Sequence, residues 1–451
     1  MSERAVSMVS LGCAKNLVDS EGMLGALVER GWLIAERPQD ADVVLVNTCG
    51  FIDEAREESC DVVEGALRLK DAGRIRAVVV AGCMVQLMRE RLSEEFPAVD
   101  AWVGMADPAA VAGACEKALA GARSFAAPEP GCRPIDAGPR LRVTPKHYAY
   151  LRIAEGCDNR CHYCVIPAIR GGLRSKPFDR IIGEAGELVA DGAREIIVIA
   201  QDTTNYGVDL YGERRLPGLL RKLREVDGVE WLRLLYTHPA HVTDELIGVL
   251  AEGGTLLPYI DLPIQHAHDA ILERMGRQIG QAGLRDVIGR IRASVPGAVI
   301  RTSVIVGFPG EGEAEFGTLL DFVREMRFER LGAFAYSREV GTPAAELDGQ
   351  VPAEAKQERL AAVMEMQQDI ATEQGEALVG SEVGAVVDGR GPDGEWAGRT
   401  VRDAPDVDGA IKFEETKLRP GTFGRAAVTA AYGYDLIGRF TRADEDEARR
   451  D

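Results

Sequence analysis

Three apolar runs of strand length near the start of the chain each end at a cysteine. They cover residues 5–13, 42–49 and 76–83, are rich in β-branched residues, and are each followed by a helix-like segment. This alternation of strand and helix predicts a parallel sheet. Open α/β sheets bind ligands at the carboxyl edge of their strands, so we expect Cys13, Cys49 and Cys83 to converge there.

Further strand-like runs, separated by helical patterns, recur between residues 143 and 372. Repeated βα units of this length predict a full or partial parallel barrel that functions at the carboxyl ends of its strands. Beyond a helix-like segment at 352–374, short strands and glycine-rich turns are typical of a small β-barrel. The predicted fold class is α/β, with an open parallel sheet, a central partial (βα) barrel and a small C-terminal β-barrel.

These patterns divide the 451 residues into domains, which we place as follows: an N-terminal domain at 1–122, a Pro-, Gly- and Ala-rich linker at 123–142, a barrel domain at 143–372, a small β-barrel at 373–442 and a charged tail at 443–451. No run approaches about eighteen apolar residues, and the first ten residues lack the features of a signal peptide. We therefore expect a cytoplasmic protein without membrane contact. Nine cysteines in such a chain favour metal ligation or thiol chemistry over a disulfide framework.

The most specific motif places Cys157, Cys161 and Cys164 in one loop, in the segment EGCDNRCHYC after the first strand of the barrel domain. Three thiolates at this spacing can hold three corners of a cubane iron–sulfur cluster and leave the fourth iron open to a substrate. A zinc site is the alternative, although structural zinc takes four ligands and His162 is poorly placed to be the fourth.

The C-x3-C-x2-C spacing, with Tyr163 before the last cysteine, resembles the signature of the radical S-adenosylmethionine (SAM) superfamily. Segment 302–316, TSVIVGFPGEGEAEF, resembles that superfamily's late-strand motif near the adenosine. The resemblance implies that SAM chelates the open iron and is split reductively to methionine and a 5′-deoxyadenosyl radical. It also implies SAM contacts at Tyr163, Gln201 and Gly307. A buried strand followed by a Gly-Pro turn is the alternative interpretation of 302–316.

A second convergent set of thiols, at Cys13, Cys49 and Cys83, implies a second cluster with an open iron. Two such sets resemble the methylthiotransferase family, whose N-terminal methylthiotransferase, radical SAM and TRAM domains would span the chain. The resemblance implies two 4Fe-4S clusters, with SAM as both methyl donor and radical source. The alternative is that the N-terminal cysteines pack as small apolar side chains. We expect that packing role for Cys60, Cys115 and Cys132.

Four local segments resemble the branch of this family that modifies ribosomal protein S-twelve: SLGCAKNLVDSE, VNTCGFIDEAREES, IAQDTTNYGVD and DLPIQHA. The resemblance implies β-methylthiolation of an aspartate in that protein, with electrons from an external donor such as a flavodoxin. The alternative is a tRNA adenosine methylthiotransferase. Lys176 and His268 depart from the family pattern, where Arg and Ser are usual. A non-enzymatic iron–sulfur or zinc scaffold on the ribosome is a third hypothesis, and it predicts no SAM cleavage.

Charge gives a separate argument about the partner. The formal net charge is −19, and residues 375–442 hold eleven acidic against nine basic residues. A tRNA-binding barrel should be basic, whereas an acidic protein suits a basic ribosomal protein. Gln201 and Asp202 end one barrel strand, and Gln265, His266 and His268 follow another, so we expect these side chains to face the active site. A metal site at His266 and His268 is the alternative, with no third ligand in view.

Overall fold

The N-terminal part of the chain is an open parallel sheet with helices on both faces. In the computed structural model, which describes residues 4–135 and 138–442, its six strands are β1 (Arg4–Ser10), β2 (Trp32–Ile34), β3 (Val43–Thr48), β4 (Ala77–Gly82), β5 (Ala101–Val103) and β6 (Ser124–Ala126). Their order is β2-β1-β3-β4-β5-β6, and all pairs are parallel. Five helices belong to this part: α1 (Ala14–Glu29), α2 (Asp53–Asp71), α3 (Cys83–Met88), α4 (Arg91–Glu95) and α5 (Pro108–Leu119).

Burial on both faces explains why β3 and β4 are continuously apolar. Every residue of the two strands is buried. Val44 and Val80 pack into the core on one face, and Leu45 and Val79 into the core on the other. This pattern is typical of a parallel sheet covered by helices on both sides.

The central part is a six-stranded parallel sheet that curves into a partial barrel. Its strands are β7 (Tyr148–Arg152), β10 (Glu195–Ile199), β11 (Trp231–Leu234), β12 (Leu256–Asp261), β13 (Val299–Val306) and β14 (Arg330–Ala335), paired in that order, and β8 (Ala154–Glu155) pairs separately with β9 (Arg174–Ser175). Its helices are α6 (Ile166–Arg170), α7 (Phe178–Ala190), α8 (Val208–Tyr211), α9 (Leu216–Arg224), α10 (Asp244–Ala251), α11 (Asp269–Arg274), α12 (Gln281–Ser294), α13 (Glu313–Met326) and α14 (Ala353–Glu376). Short 3-10 turns occur at Pro38–Asp40, Thr203–Asn205, Pro239–His241 and Pro343–Glu346.

The C-terminal part is a closed five-stranded barrel. Its strands are β15 (Glu382–Arg390), β16 (Trp396–Thr400), β17 (Ile411–Phe413), β18 (Phe423–Tyr432) and β19 (Asp435–Arg442), in the order β15-β16-β17-β19-β18. The loop after β16 reaches into the central sheet, where Asp403 pairs with Arg330 and Asp408 accepts a hydrogen bond of 2.6 Å from Tyr259. The three predicted architectures are therefore confirmed.

Two features bear on the expected boundaries. Residues 124–126, at the start of the expected linker, form the edge strand β6 rather than irregular chain. The expected charged tail at 443–451 lies outside the described residues. Within 4–135 and 138–442, no helix is long and apolar enough to cross a membrane.

Candidate active site

The three N-terminal cysteines follow three neighbouring strands. Cys13 precedes α1 after β1, Cys49 directly follows β3, and Cys83 opens α3 directly after β4. These strands are adjacent in the sheet, so their carboxyl ends place the three thiols at one edge. Cys13 is exposed, Cys49 half-buried and Cys83 buried. The predicted convergence is therefore present in the fold.

Two glycines allow the three cysteine loops to approach each other closely. A Cβ at Gly12, whose φ is +85°, would lie 3.0 Å from the Sγ of Cys49. A Cβ at Gly50 would lie 2.7 Å from the Cα of Met84, the residue after Cys83. Real Cβ contacts are not this short, so larger side chains would separate the loops.

Two cations neighbour this N-terminal triad. The Nη2 of Arg170 donates to the Sγ of Cys83 at 3.3 Å. Loss of water around the Cys13 thiol acts to raise its pKa. The positive charges of Lys15 and Arg170 act in the opposite direction and are stronger, so the pKa of Cys13 is lowered. Burial raises the pKa of Cys83 to about 11, and Arg170 opposes this shift. Thiolate is the form that binds iron, so both cations favour the ligand state.

The second triad lies in the loop between β8 and α6. The backbone N–H of Asn159 donates to the Sγ of Cys157 at 3.4 Å, and the Nη1 of Arg277 donates to the Sγ of Cys161 at 3.6 Å. All three thiols are half-buried. Burial raises the pKa values of Cys157 and Cys164 to about 12, so binding a metal there must release their protons.

Neighbouring elements hold this loop in place. Asn159 donates to Asp202 after β10 at 2.7 Å, and Asp202 also contacts the Nδ1 of His241 at 3.0 Å. His162 is turned away from the cysteines, since its Nδ1 lies 2.8 Å from the carbonyl oxygen of Arg274. Asp202 therefore lies beside the cysteine loop, which it orients through Asn159.

A buried ion network links the N-terminal triad to residues that flank the barrel cysteines in sequence. Arg170 follows Cys164 by six residues, and Glu155 precedes Cys157 by two. The guanidinium of Arg170 donates to Glu155 at 2.7 Å, to Asp19 on α1 at 2.9 Å and to Cys83. A continuous polar path thus runs from the N-terminal triad to the barrel loop.

This network carries more positive than negative charge. Arg133, Arg152 and Arg170 all pair with Asp19, while Glu155 is the only other carboxylate in the group. All are buried. Burial of uncompensated charge is costly, so a neighbouring thiolate is favoured.

The three predicted SAM contacts occupy different surroundings. Tyr163 packs beside Phe308 and Met275 in a small apolar cluster. Gln201 donates to Glu155 at 3.0 Å and leaves its buried Oε1 without a partner among the described residues. A Cβ at Gly307 would lie 2.3 Å from the Cγ of Lys356 on helix α14, so the packing of that helix leaves room only for glycine at position 307.

Other predicted residues are distributed around this edge of the barrel. Gln265 is half-buried with a φ of +69°. His266 is fully buried, 3.3 Å from Glu311. His268 precedes α11, and its buried Nδ1 lacks a hydrogen-bond partner among the described residues. Lys176 pairs with Glu184 on α7.

Two of the three remaining cysteines, Cys60 and Cys115, have the apolar surroundings expected of packing residues. Cys115, on α5, is fully buried in the core on one face of the sheet, and Cys60, on α2, is partly buried against the core on the other face. Cys132 is exposed. Across the described ranges, no three His, Cys, Asp or Glu side chains are arranged to hold one metal ion.

The residues around both triads fit cubane clusters. Each triad supplies three thiols, and each has at least one cationic N–H donor aimed at sulfur, which are features that stabilise iron–sulfur clusters. Lys15, Arg170 and Arg277 were not singled out from the sequence. Lys15 lies within the quoted segment SLGCAKNLVDSE, but only the folded chain shows the partners of the three cations.

Family models match three parts of the chain. The family described as uncharacterized protein family UPF0004 matches residues 5–104, the radical SAM superfamily 151–323 and the TRAM domain 379–441. The radical SAM methyltransferase TsrM from Kitasatospora setae has a similar fold, with a TM-score of 0.52, 17% identity and coverage of 76% of this chain and 77% of that one. Fold and domains together define a radical SAM protein with an N-terminal α/β domain and a TRAM barrel.

Full-length relatives identify the family more narrowly. A protein from Heliobacterium modesticaldum named ribosomal protein uS12 methylthiotransferase RimO is 46% identical, over 96% of this chain and 94% of its own. A protein of the same name from Anaeromyxobacter sp. (strain K) is 44% identical, over 99% and 95%. The chain belongs to the uS12 methylthiotransferase RimO family.

Proposed function

We propose that this chain transfers a methylthio group to the β-carbon of an aspartate in ribosomal protein uS12. The observation that carries the proposal is the pair of cysteine triads, with Arg170 donating to Cys83 of the first, in a chain whose relatives are named as uS12 methylthiotransferases. In this proposal Cys157, Cys161 and Cys164 hold the radical SAM cluster, and Cys13, Cys49 and Cys83 hold the auxiliary cluster.

With both clusters and SAM bound, the site supplies a carbon radical for hydrogen abstraction and a cluster-bound sulfur for transfer. A radical is needed because the β-carbon is too weakly acidic for a side-chain base near neutral pH. The chain's own residues position these parts. Asp202 and Asn159 hold the cysteine loop, and the Oε1 of Gln201, unpartnered among the described residues, is available to accept from SAM. Tyr163 would line the apolar side of that space with Phe308 and Met275. Gly307 provides the turn between β13 and α13.

The same proposal includes the domains 1–122, 143–372 and 373–442, with a linker at 123–142 between the first two, of which residues 124–126 add the edge strand β6 to the N-terminal sheet. The three family models fall inside these bounds. The reaction also needs electrons from an external donor such as a flavodoxin. A ribosomal substrate favours the cytoplasm as the place of reaction.

Anaerobic incubation of the reconstituted protein with SAM, a reductant and either uS12 or unmodified tRNA tests the proposal. We expect mass spectrometry to find one methylthio group on an aspartate peptide of uS12. The net charge of −19 and the near-neutral C-terminal barrel support a basic protein partner over tRNA. Modification of tRNA adenosine alone would contradict the proposal.

A further inference from the structure

One buried cation beside the N-terminal triad, Lys15, neighbours the Cys13 thiol but pairs with no carboxylate of the described residues. The side chain of Lys15 is 9% exposed, and no carboxylate of the described residues lies within ion-pair distance of its Nζ. Its Nζ instead lies 3.2 Å from the centre of the Tyr236 ring. The buried guanidinium of Arg170 nearby contrasts with it, because that group is saturated by Asp19, Glu155 and Cys83.

Lys15 lies at the seam between the two parts that carry the triads. It follows Cys13 by two residues, at the carboxyl edge of the N-terminal sheet. Tyr236 belongs to the loop after β11, at the carboxyl edge of the barrel. The amine therefore lies where the N-terminal sheet meets the barrel, beside the N-terminal triad.

Tyr236 is held rigidly in an unusual backbone conformation. Its φ is +59°, a left-handed value that is rare for a bulky residue and is concentrated at functional sites. Its N–H donates to Asp261 at 3.0 Å, and its carbonyl oxygen accepts from the N–H of Thr203 at 2.9 Å. The ring is thus a fixed support for the amine.

We infer that Lys15 binds the side-chain carboxylate of the target aspartate and selects an acidic residue at the reacting position. This inference rests on the proposed function, in which the β-carbon that reacts is directly bonded to that carboxylate carbon. A carboxylate brought into a buried seam needs a cation and hydrogen-bond donors. Lys15 supplies both, while Tyr236 holds the amine before substrate arrives.

The test compares recombinant uS12 carrying Asp or Asn at the modified position. Binding of each fluorescently labelled form to the cluster-loaded protein is measured by anisotropy, alongside iron content and uncoupled SAM cleavage. We expect the protein to bind the Asp form at least about tenfold more tightly, as is typical of a charged hydrogen bond. Lys15→Met should reduce that ratio to about one, and Lys15→Arg should retain part of it.

Lys176→Met is the matched control, since Lys176 is a buried lysine paired with Glu184, and it should leave the Asp-to-Asn ratio unchanged. An unchanged ratio in Lys15→Met would overturn the inference. Loss of the ratio only together with the iron in Lys15→Met would also overturn it, because the amine would then act solely through the thiolates of the N-terminal triad. Failure of the wild-type protein to modify uS12 would count against the proposed function, whereas the binding ratio would still report on Lys15.

Discussion

At the scale of single residues, cations organise this site as much as cysteines do. The cysteines could be predicted because strand ends and the C-x3-C-x2-C spacing are visible in the sequence. The role of Arg170 could not, because its partners Glu155, Cys83 and Asp19 lie 15, 87 and 151 residues away. Local pattern carries no information on such pairs.

Replacement of Arg170 with Gln should shift the reduction potential of the N-terminal centre to more negative values. A positive N–H donor beside a cluster sulfur favours the added electron, and hydrogen bonds to sulfur help to set the potential. An EPR-monitored redox titration would measure the shift in protein whose radical SAM cysteines are replaced with alanine, so that one centre remains.

Arg152→Gln is the control for this measurement. Arg152 pairs with the same Asp19 and Glu155 but has no hydrogen bond to a cysteine among the described residues. A shift of equal size in both variants, or none in Arg170→Gln, would contradict a direct role for the contact with Cys83.

At the scale of elements, the long strands were predictable and the short ones were not. The apolar runs at 42–49 and 76–83 became β3 and β4, because continuous burial leaves a clear pattern. The three-residue strands β2, β5 and β6 are too short to show a period. The buried contacts of the loop after β16 leave no local pattern, because they depend on a sheet remote in sequence.

Glycine at position 50 should be required for the N-terminal cluster. In Gly50→Ala the new Cβ would meet the backbone of Met84, forcing the Cys49 and Cys83 loops apart. We expect the iron content to fall toward about four per chain, the content of one cluster. Gly65→Ala, in an open position on α2, should keep the full iron content. Full iron content in Gly50→Ala would contradict this, because it would show that the two loops accommodate the added methyl group.

The loop after β16 should contribute strongly to stability. Asp403→Asn leaves the buried guanidinium of Arg330 without its charged partner, and breaking a buried ion pair costs about 3–5 kcal/mol. Thermal unfolding should therefore show a clear drop in the midpoint. Asp393→Asn, which breaks an exposed pair with Lys412 in the same barrel, should change it little. Equal midpoints for the two variants would argue against a stabilising role for this loop.

At the scale of the whole molecule, charge is the property that bears most on the partner. A protein with a net charge of −19 should meet a basic ribosomal protein faster at low ionic strength. Stopped-flow measurements should show the association rate with uS12 falling as salt increases from 50 to about 500 mM, since the Debye length shortens over this range. A salt-independent rate would mean that net charge has no part in the encounter.

The central claim is that the chain builds two separate clusters, one on each triad. The most direct test is the iron content and SAM cleavage of three reconstituted proteins: the wild type, a variant with Cys13, Cys49 and Cys83 replaced by alanine, and a variant with Cys157, Cys161 and Cys164 replaced. We predict about eight irons in the wild type and about four in each variant. Of the two variants, only the one that keeps Cys157, Cys161 and Cys164 should still form 5′-deoxyadenosine, as the wild type does. About four irons in the wild type, or cleavage by the variant lacking those three cysteines, would contradict the claim.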